Sequence, residues 1–304
     1  METSSFLELP YHKNMRMING ELTTMCVNEL DITSHNIKIN DDNAAAIDNS
    51  KCIQCGACVY QCPFGAIAEK SYILNVIDML KKSDNNKNYK VYAVVAPSIS
   101  SQFTYAKLGQ VITGLKELGF YTVVEDALGA DMVAMEEAKE LSEKEFLTSS
   151  CCPAFVNMAR IHFPTVYENN VSKVVSPMEA MARYLKSKDE NLKVVFIGPC
   201  VAKKQEAMND WSQTDYVLTF EEIAAMIISR GFAASHIDAT LEDQASVHGK
   251  NFAIGGGVSK AVVQSLKENG LDTVTAKYAD GVEIDYTWTE GKMPEGYSLT
   301  NTAK

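Results

Sequence analysis

The run Cys52-x2-Cys55-x2-Cys58-x3-Cys62-Pro63 constrains this chain more than any other stretch. Three thiolates so closely spaced wrap three irons of a 4Fe-4S cubane, and the proline turns the chain away. The fourth cysteine of such a run normally serves a second cluster, yet only one run exists here. The cubane of Cys52, Cys55 and Cys58 is therefore left with Cys62, or with Cys26 in the polar N-terminal segment, as its fourth ligand. A structural zinc site is the alternative, although zinc sites usually pair two separated Cys-x-x-Cys knuckles. The eight cysteines could in principle form four disulfides. Four of them crowd into one short run and two others are adjacent, which favours metal ligation over a disulfide scaffold.

A second sulfur group lies in Thr148-Ser149-Ser150-Cys151-Cys152-Pro153-Ala154-Phe155. Residues 145–148 read as a short buried strand, and Pro153 opens a helix. Adjacent thiols at such a handover meet free backbone N–H groups and the positive end of a helix dipole, which favours thiolate over thiol. The other reading is a pair of buried cysteines acting as small hydrophobes. Cys200 ends a later apolar strand, with Lys203 one helical turn on, a spacing that sets a cation beside a thiolate.

From Val91 onward, apolar runs alternate with periodic helical segments, the pattern of a parallel sheet with crossover helices, so the fold class is α/β. Strands are expected at residues 91–96, 122–125, 145–148, 193–197, 215–218 and 252–254. Ser176-x-x-Glu179 and Thr219-x-x-Glu222 read as capping boxes, and Gly119, Gly231 and Gly270 as helix stops. Residues 1–50 are polar, with a weak strand-like pair at residues 37–40 and 45–47. An amphipathic helix spans residues 71–82, and the polar stretch 82–89 reads as a boundary loop. Two domains follow: residues 1–83, a small ferredoxin-like α+β iron–sulfur domain, and residues 84–304, parallel sheet flanked by helices. Gly255-Gly256-Gly257 reads as a tight turn into a helix rather than an anion cradle.

The formal net charge of −11 disfavours nucleic-acid and anionic-membrane partners. An acidic surface also suits docking to a basic patch on a redox protein. The sequence has no run of about 18 apolar residues and no basic-then-apolar N-terminus, which points to the cytoplasm.

Over residues 47–285 the chain resembles the FeFe hydrogenases. Val95-Ala96-Pro97-Ser98, the Thr148–Phe155 stretch and Ile197-Gly198-Pro199-Cys200-Val201-Ala202-Lys203-Lys204-Gln205-Glu206 carry the resemblance. The last two are similar to the family's first two signature motifs, and Met135–Leu141 and Ser176-Pro177-Met178 match shorter family words. The resemblance implies that Cys152 and Cys200 ligate the cubane half of an H-cluster, whose di-iron half carries carbon monoxide and cyanide. It implies that Cys151 passes protons, that Lys203 holds a cyanide, that the backbone at Pro97 and Ser98 lines the other cyanide, and that Glu137 and Glu140 belong to a proton path. The implied reaction is reversible reduction of protons with ferredoxin or another redox protein as electron partner.

Two departures accompany the resemblance. The family's third signature supplies two further cysteines, and residues 290–304 resemble the approach to it without reaching them. Thr33-Ser34 also stands where relatives close an earlier cluster run with Cys-Pro. The expectation is thus a chain with two of four cubane ligands, not competent for hydrogen chemistry alone, with an open cavity that a partner chain covers. The competing expectations are a non-catalytic iron–sulfur sensor or electron-transfer module, and a zinc-bound structural protein.

Overall fold

The computed structural model describes residues 15–18, 21–24, 37–39, 45–48, 50–61, 67–103, 106–144, 146–231 and 245–270. Near the N-terminus two antiparallel pairs form: β1 (Met15–Ile18) with β2 (Glu21–Thr24), and β3 (Ile37–Ile39) with β4 (Ala45–Ile47). The second pair is the one expected from the sequence. Helix α1 (Ala57–Gln61) follows the first cysteines, and α2 (Ile73–Lys82) starts two residues later than its apolar period suggests. Val76 and Met79 bury one face of α2 against the main core.

That core surrounds a four-stranded parallel sheet of β5 (Val91–Val95), β6 (Thr122–Glu125), β7 (Lys193–Gly198) and β8 (Tyr216–Thr219), in the order β6-β5-β7-β8. Val91, Ala93, Val94, Val194, Val195 and Ile197 are all essentially inaccessible. Strands covered on both faces read as continuous apolar runs, which is why residues 91–95 and 193–197 were legible without strict alternation. The chain leaves β5 toward β6 and later returns to lay β7 on the opposite side. The strand order therefore reverses between β5 and β7, and a crevice opens there at the carboxyl ends. Pro97 and Ser98 follow β5 and Pro199 and Cys200 follow β7, so the crevice lies between them.

The flanking helices are α3 (Ile99–Gln102), α4 (Leu108–Glu117), α5 (Ala127–Ser142), α6 (Pro153–His162), α7 (Pro164–Asn170), α8 (Pro177–Lys188), α9 (Ala202–Glu206), α10 (Phe220–Ser229), α11 (Val247–Lys250) and α12 (Gly257–Glu268). Gly119, Gly231 and Gly270 follow the ends of α4, α10 and α12 with φ of 109°, 81° and 68°, the left-handed stop expected of them. Thr219 and Glu222 form the full capping box of α10. At α8 the Ser176 side chain accepts the Glu179 N–H, while the Glu179 carboxylate turns instead to Arg183, Ser212 and the backbone of Gln213. Among the described residues, no helix is long and apolar enough to cross a membrane.

Two expected strands are absent from the sheet. Among the described residues 146–148, only Thr148 bridges Val171, through Thr148 N–H to the Asn170 carbonyl at 2.7 Å and Ser172 N–H to the Thr148 carbonyl at 2.8 Å. Phe146 is half exposed, so no neighbouring strand covers this segment. The run at residues 252–254 is instead part of a 3-10 turn, Asn251–Ala253, continuing α11. The Asn251 carbonyl lies 1.8 Å from where a Gly257 Cβ would stand, so the tight Gly255–Gly257 turn needs glycine there.

Helix α5 packs closely on α8. A Cβ added at Gly129 would lie 2.4 Å from the Pro177 carbonyl oxygen. Gly129→Ala is expected to push the two helices apart and destabilise the fold by about 1–3 kcal/mol. A urea midpoint equal to wild type would contradict this close approach.

Candidate functional site

Cys52 and Cys55 lie on a loop whose Gln54 and Gly56 take left-handed backbone angles, φ 63° and 76°, and Cys58 lies in the first turn of α1 that follows. This winding turns N–H groups inward: Gln54 N–H reaches the Cys52 sulfur at 3.3 Å and Ala57 N–H the Cys55 sulfur at 3.4 Å. Amides aimed at sulfur stabilise thiolate, which a cluster requires of its ligands. Burial pushes the Cys58 thiol up, and the neighbouring Cys52 and Cys55 push it the same way. Bound iron removes that penalty by replacing the proton. These three residues thus fit an iron–sulfur cluster. Cys26 and Cys62, the two candidates for fourth ligand, lie outside the described residues. Among the described residues, no three His, Cys, Asp or Glu side chains are gathered tightly enough to hold a single metal ion.

Cys151, Cys152 and Cys200 form the second group. Cys152 is the N-cap residue of α6 and Pro153 its first residue, as expected for the helix start. Cys200 lies in the turn between β7 and α9, its carbonyl accepting the Lys203 N–H at 3.2 Å. Cys152 is close enough to disfavour ionisation of both Cys151 and Cys200. The expected preference for thiolate fails at Cys151. Burial pushes its thiol up and outweighs the Ser149 hydrogen bond and the Lys203 charge. Cys200 is likewise pushed up, mainly by burial. All six described cysteines are free thiols.

The two sulfur groups abut. Gly56, between Cys55 and Cys58, faces Val201, next to Cys200, and an added Cβ would stand 2.5 Å from the valine Cγ2. Asn157 on α6 donates to the Gln54 side chain at 3.2 Å. Lys204 donates to the Lys70 carbonyl and pairs with Glu222, both at 2.9 Å, pinning the segment after the first cysteine run to α9.

Lys203 and Glu206 are buried and paired at 2.7 Å, so the bland reading of an exposed helical face does not hold. Pro97 and Ser98 are half-buried at the end of β5, beside the β7 turn as the resemblance requires. A cleft of about 490 Å³ is lined by Ser150, Pro153, Arg160, Lys173, Arg183 and Glu206 among others, while Cys151, Cys152 and Cys200 do not line it.

Glu137 and Glu140 join Cys151 in a continuous polar line. Ser149 Oγ hydrogen-bonds both Cys151 and Glu137, the latter at 2.8 Å. Ser172 contacts Glu137 and donates to Glu140 at 2.8 Å, and Lys144 donates to Glu140 at 2.7 Å, toward the surface. Burial raises Glu137 above the usual carboxylate range. Burial also acts on Glu140, but Lys144, Ser172 and the Lys173 N–H outweigh it and lower its pKa. Sequence reading found the two carboxylates but not Ser149, Ser172 or Lys144 as their connectors, since an isolated serine in a polar stretch carries no pattern.

Comparison with known proteins places this geometry. Residues 89–294 match the family "Iron only hydrogenase large subunit, C-terminal domain", and residues 45–68 match the "4Fe-4S binding domain" family. Iron hydrogenase 1 of Clostridium pasteurianum is 28% identical over 75% of this chain and 44% of its own length. The NADP-reducing hydrogenase subunit HndD of Solidesulfovibrio fructosivorans is 27% identical over 71% of this chain and 43% of its own. The chain thus spans less than half the length of these curated relatives. A solved HydA1 FeFe-hydrogenase variant from Chlamydomonas reinhardtii superposes with a TM-score of 0.54 at 26% identity, over 65% of this chain and 58% of that one. Another FeFe-hydrogenase structure, from work on oxygen inactivation, gives a TM-score of 0.55 at 25% identity over the same shares.

Proposed function

Because the chain belongs to the iron-only hydrogenase family, we propose that residues 84–304 form an H-cluster domain that exchanges electrons through a ferredoxin-type 4Fe-4S unit in residues 1–83. The two family matches support a 4Fe-4S cluster and an H-cluster as its cofactors. Cys52, Cys55 and Cys58 would hold the first, with Cys62 or Cys26 completing it. Cys152 and Cys200 would hold the cubane half of the second. When bound, the H-cluster supplies the centre at which protons and electrons combine.

This chain's own groups do the rest. Cys151 holds a proton at Sγ, because burial keeps its thiol neutral, and passes it along Ser149, Glu137 and Ser172 to Glu140, whose carboxylate Lys144 holds by an ion pair toward the surface. That hydrogen-bonded line is the observation that carries the hydrogenase reading. Raised Glu137 and lowered Glu140 order the line, so a proton rests more readily at the inner carboxylate than at the outer one. Lys203 would offer its ammonium to one cyanide of a bound H-cluster, and Pro97 and Ser98 their backbone to the other. A ferredoxin or similar redox protein in the cytoplasm is the electron partner.

The sequence has no cysteine after Cys200. Within these residues a cubane on Cys152 and Cys200 has two irons without protein ligands, and hydrogen turnover requires ligands from outside them. A second reading is an iron–sulfur sensor or electron-transfer module that keeps the first cluster. Anaerobic reconstitution with iron counting, electron paramagnetic resonance and infrared spectroscopy separates the two. Carbon monoxide and cyanide bands are expected for the first reading, and a single cubane without them for the second. In either case Cys55→Ser is expected to abolish the N-terminal cluster signal, and an unchanged signal would refute that ligand set. Cys26→Ser and Cys62→Ser, tested in parallel, identify the fourth ligand by which one alters the spectrum.

A further inference from the structure

Between Cys52 and Cys58 the chain takes two left-handed residues, Gln54 at φ 63° and Gly56 at φ 76°. Glycine accepts that angle freely, but a residue with a side chain is strained there and keeps it only where its surroundings fix it. On one side the fixing groups are sulfurs, since the winding brings the Gln54 N–H to Cys52 and the Ala57 N–H to Cys55. On the other side they belong to the second sulfur group. Gln54 Oε1 accepts from Asn157 Nδ2 at 3.2 Å, and Asn157 stands on the helix whose N-cap is Cys152. Arg160 donates to Asn157 Oδ1 at 3.2 Å, and because a guanidinium can only donate, it fixes which end of the amide faces Gln54. Gly56 lies so close to Val201 that an added Cβ would stand 2.5 Å from its Cγ2, and Val201 adjoins Cys200.

The two residues that wind the first loop are thus the two that touch the supports of Cys152 and Cys200. Iron binds thiolate sulfur, and an amide hydrogen bond to charged sulfur is stronger than one to a thiol. Filling the first site therefore favours the backbone conformation on which both outer contacts depend. Linkage makes the effect mutual: whatever steadies the loop against Asn157 and Val201 also favours the filled site.

We propose that Asn157 and Val201 are positioning residues that carry occupancy of the first site to the second, so that a cluster on Cys52, Cys55 and Cys58 holds in place the elements bearing Cys152 and Cys200. This coupling rests on the reading of those three cysteines as cluster ligands given above. It is tested in Cys152→Ser/Cys200→Ser protein, in which the second site has lost both thiolates and a change there must come from the first. Amide hydrogen exchange, followed by mass spectrometry, is compared between metal-free and anaerobically reconstituted protein. Residues 152–160 and 199–206 are expected to exchange at least about fivefold more slowly once the cubane is bound. Helix α12, which packs on α5 and meets neither contact, is expected to keep its rate.

Adding Asn157→Ala and Val201→Ala is expected to abolish the slowing. The cubane, followed by iron content and electron paramagnetic resonance, then still binds but is lost to a chelator about fivefold faster, as reciprocity requires. Slowing that extends equally to α12 is a general tightening of the fold and overturns the coupling, as does slowing that survives both alanines. Should the combined variant not fold, Asn157→Ala alone must diminish the slowing, and an undiminished effect overturns it equally. Protein that binds no cubane refutes the ligand reading and the coupling together, whereas protein that binds it with unchanged exchange at both segments refutes the coupling alone.

Discussion

Lys204→Met is expected to lower the unfolding free energy by about 3–5 kcal/mol, the range for stripping one partner from a buried ion pair. Lys204 and Glu222 are 5% and 6% exposed and meet at 2.9 Å. Glu222 also accepts from the Tyr72 and Thr219 N–H groups, at 3.2 and 2.8 Å, and Lys204 donates to the Lys70 carbonyl. Methionine replaces the apolar stem but leaves the Glu222 carboxylate buried beside no cation. Replacing Glu222 by leucine in the same chain should return part of the loss, because removing both charges avoids the orphan. Urea midpoints of the two single variants and the double variant check this. If Lys204→Met alone costs under about 1 kcal/mol, as exposed pairs do, solvent reaches the pair and the reasoning is wrong. The network ties residues 69–72, just beyond the first cysteine run, to the helix that follows Cys200. The same variant should therefore also loosen the seat of the first cluster loop, visible as faster alkylation of Cys200 in metal-free protein.

The sheet was legible because its information is local. Continuous apolar runs at residues 91–95 and 193–197 can only be strands covered on both faces, and the glycines at 119, 231 and 270 occupy left-handed positions that other residues avoid. The strand expected at residues 252–254 failed for a local reason too. Three apolar-leaning residues between the Ser246 N-cap and a glycine turn continue a helix as readily as they extend, and α11 was already running. Asp215 shows a subtler shift: β8 begins at Tyr216, yet Asp215 donates its N–H to the Val194 carbonyl at 2.9 Å, while its carboxylate accepts the Val194 N–H at 2.9 Å and pairs with Lys186 and Lys193. The β1–β2 pair was overlooked although Asn19-Gly20 stands between its strands, a strong hairpin signal in any sequence.

The candidate site divides along the same line. Spacing revealed the cysteines, and Lys203 followed from its place one turn after Cys200. Which groups connect to which was hidden, because contacts such as Ser172 to Glu140 and Gly56 to Val201 join residues far apart in the chain. Burial was hidden as well, and at Cys151 it decides the sign, raising the thiol pKa against the Ser149 hydrogen bond and the Lys203 charge that lower it.

The pH dependence of metal-free protein should display the same competition. Burial raises Asp126 from the usual 3.8 to about 7. The folded chain then holds a proton that the unfolded chain has already released, so stability falls as pH rises from about 4 to 7 and levels off above. Each tenfold change in proton affinity is worth about 1.36 kcal/mol, so the loss over this range is about 4 kcal/mol. Glu137, also raised, adds to the fall in the same direction. Glu222 and Glu140 run the other way. At both, burial is outweighed, by Lys204 and Thr219 at one and by Lys144 and Ser172 at the other, and their folded pKa values are lowered. Their contribution is complete above the unfolded value of 4.5 and is lost as pH drops through the folded one. Greatest stability is thus expected in mildly acidic solution, not at neutrality. Urea midpoints measured from about pH 3 to 9 should rise, peak and then descend toward neutrality, and Asp126→Asn should flatten most of the descent while leaving the acid limb in place. A wild-type profile that climbs steadily to neutral pH would mean that water reaches Asp126 and that the crevice at the sheet's carboxyl edge is not dry.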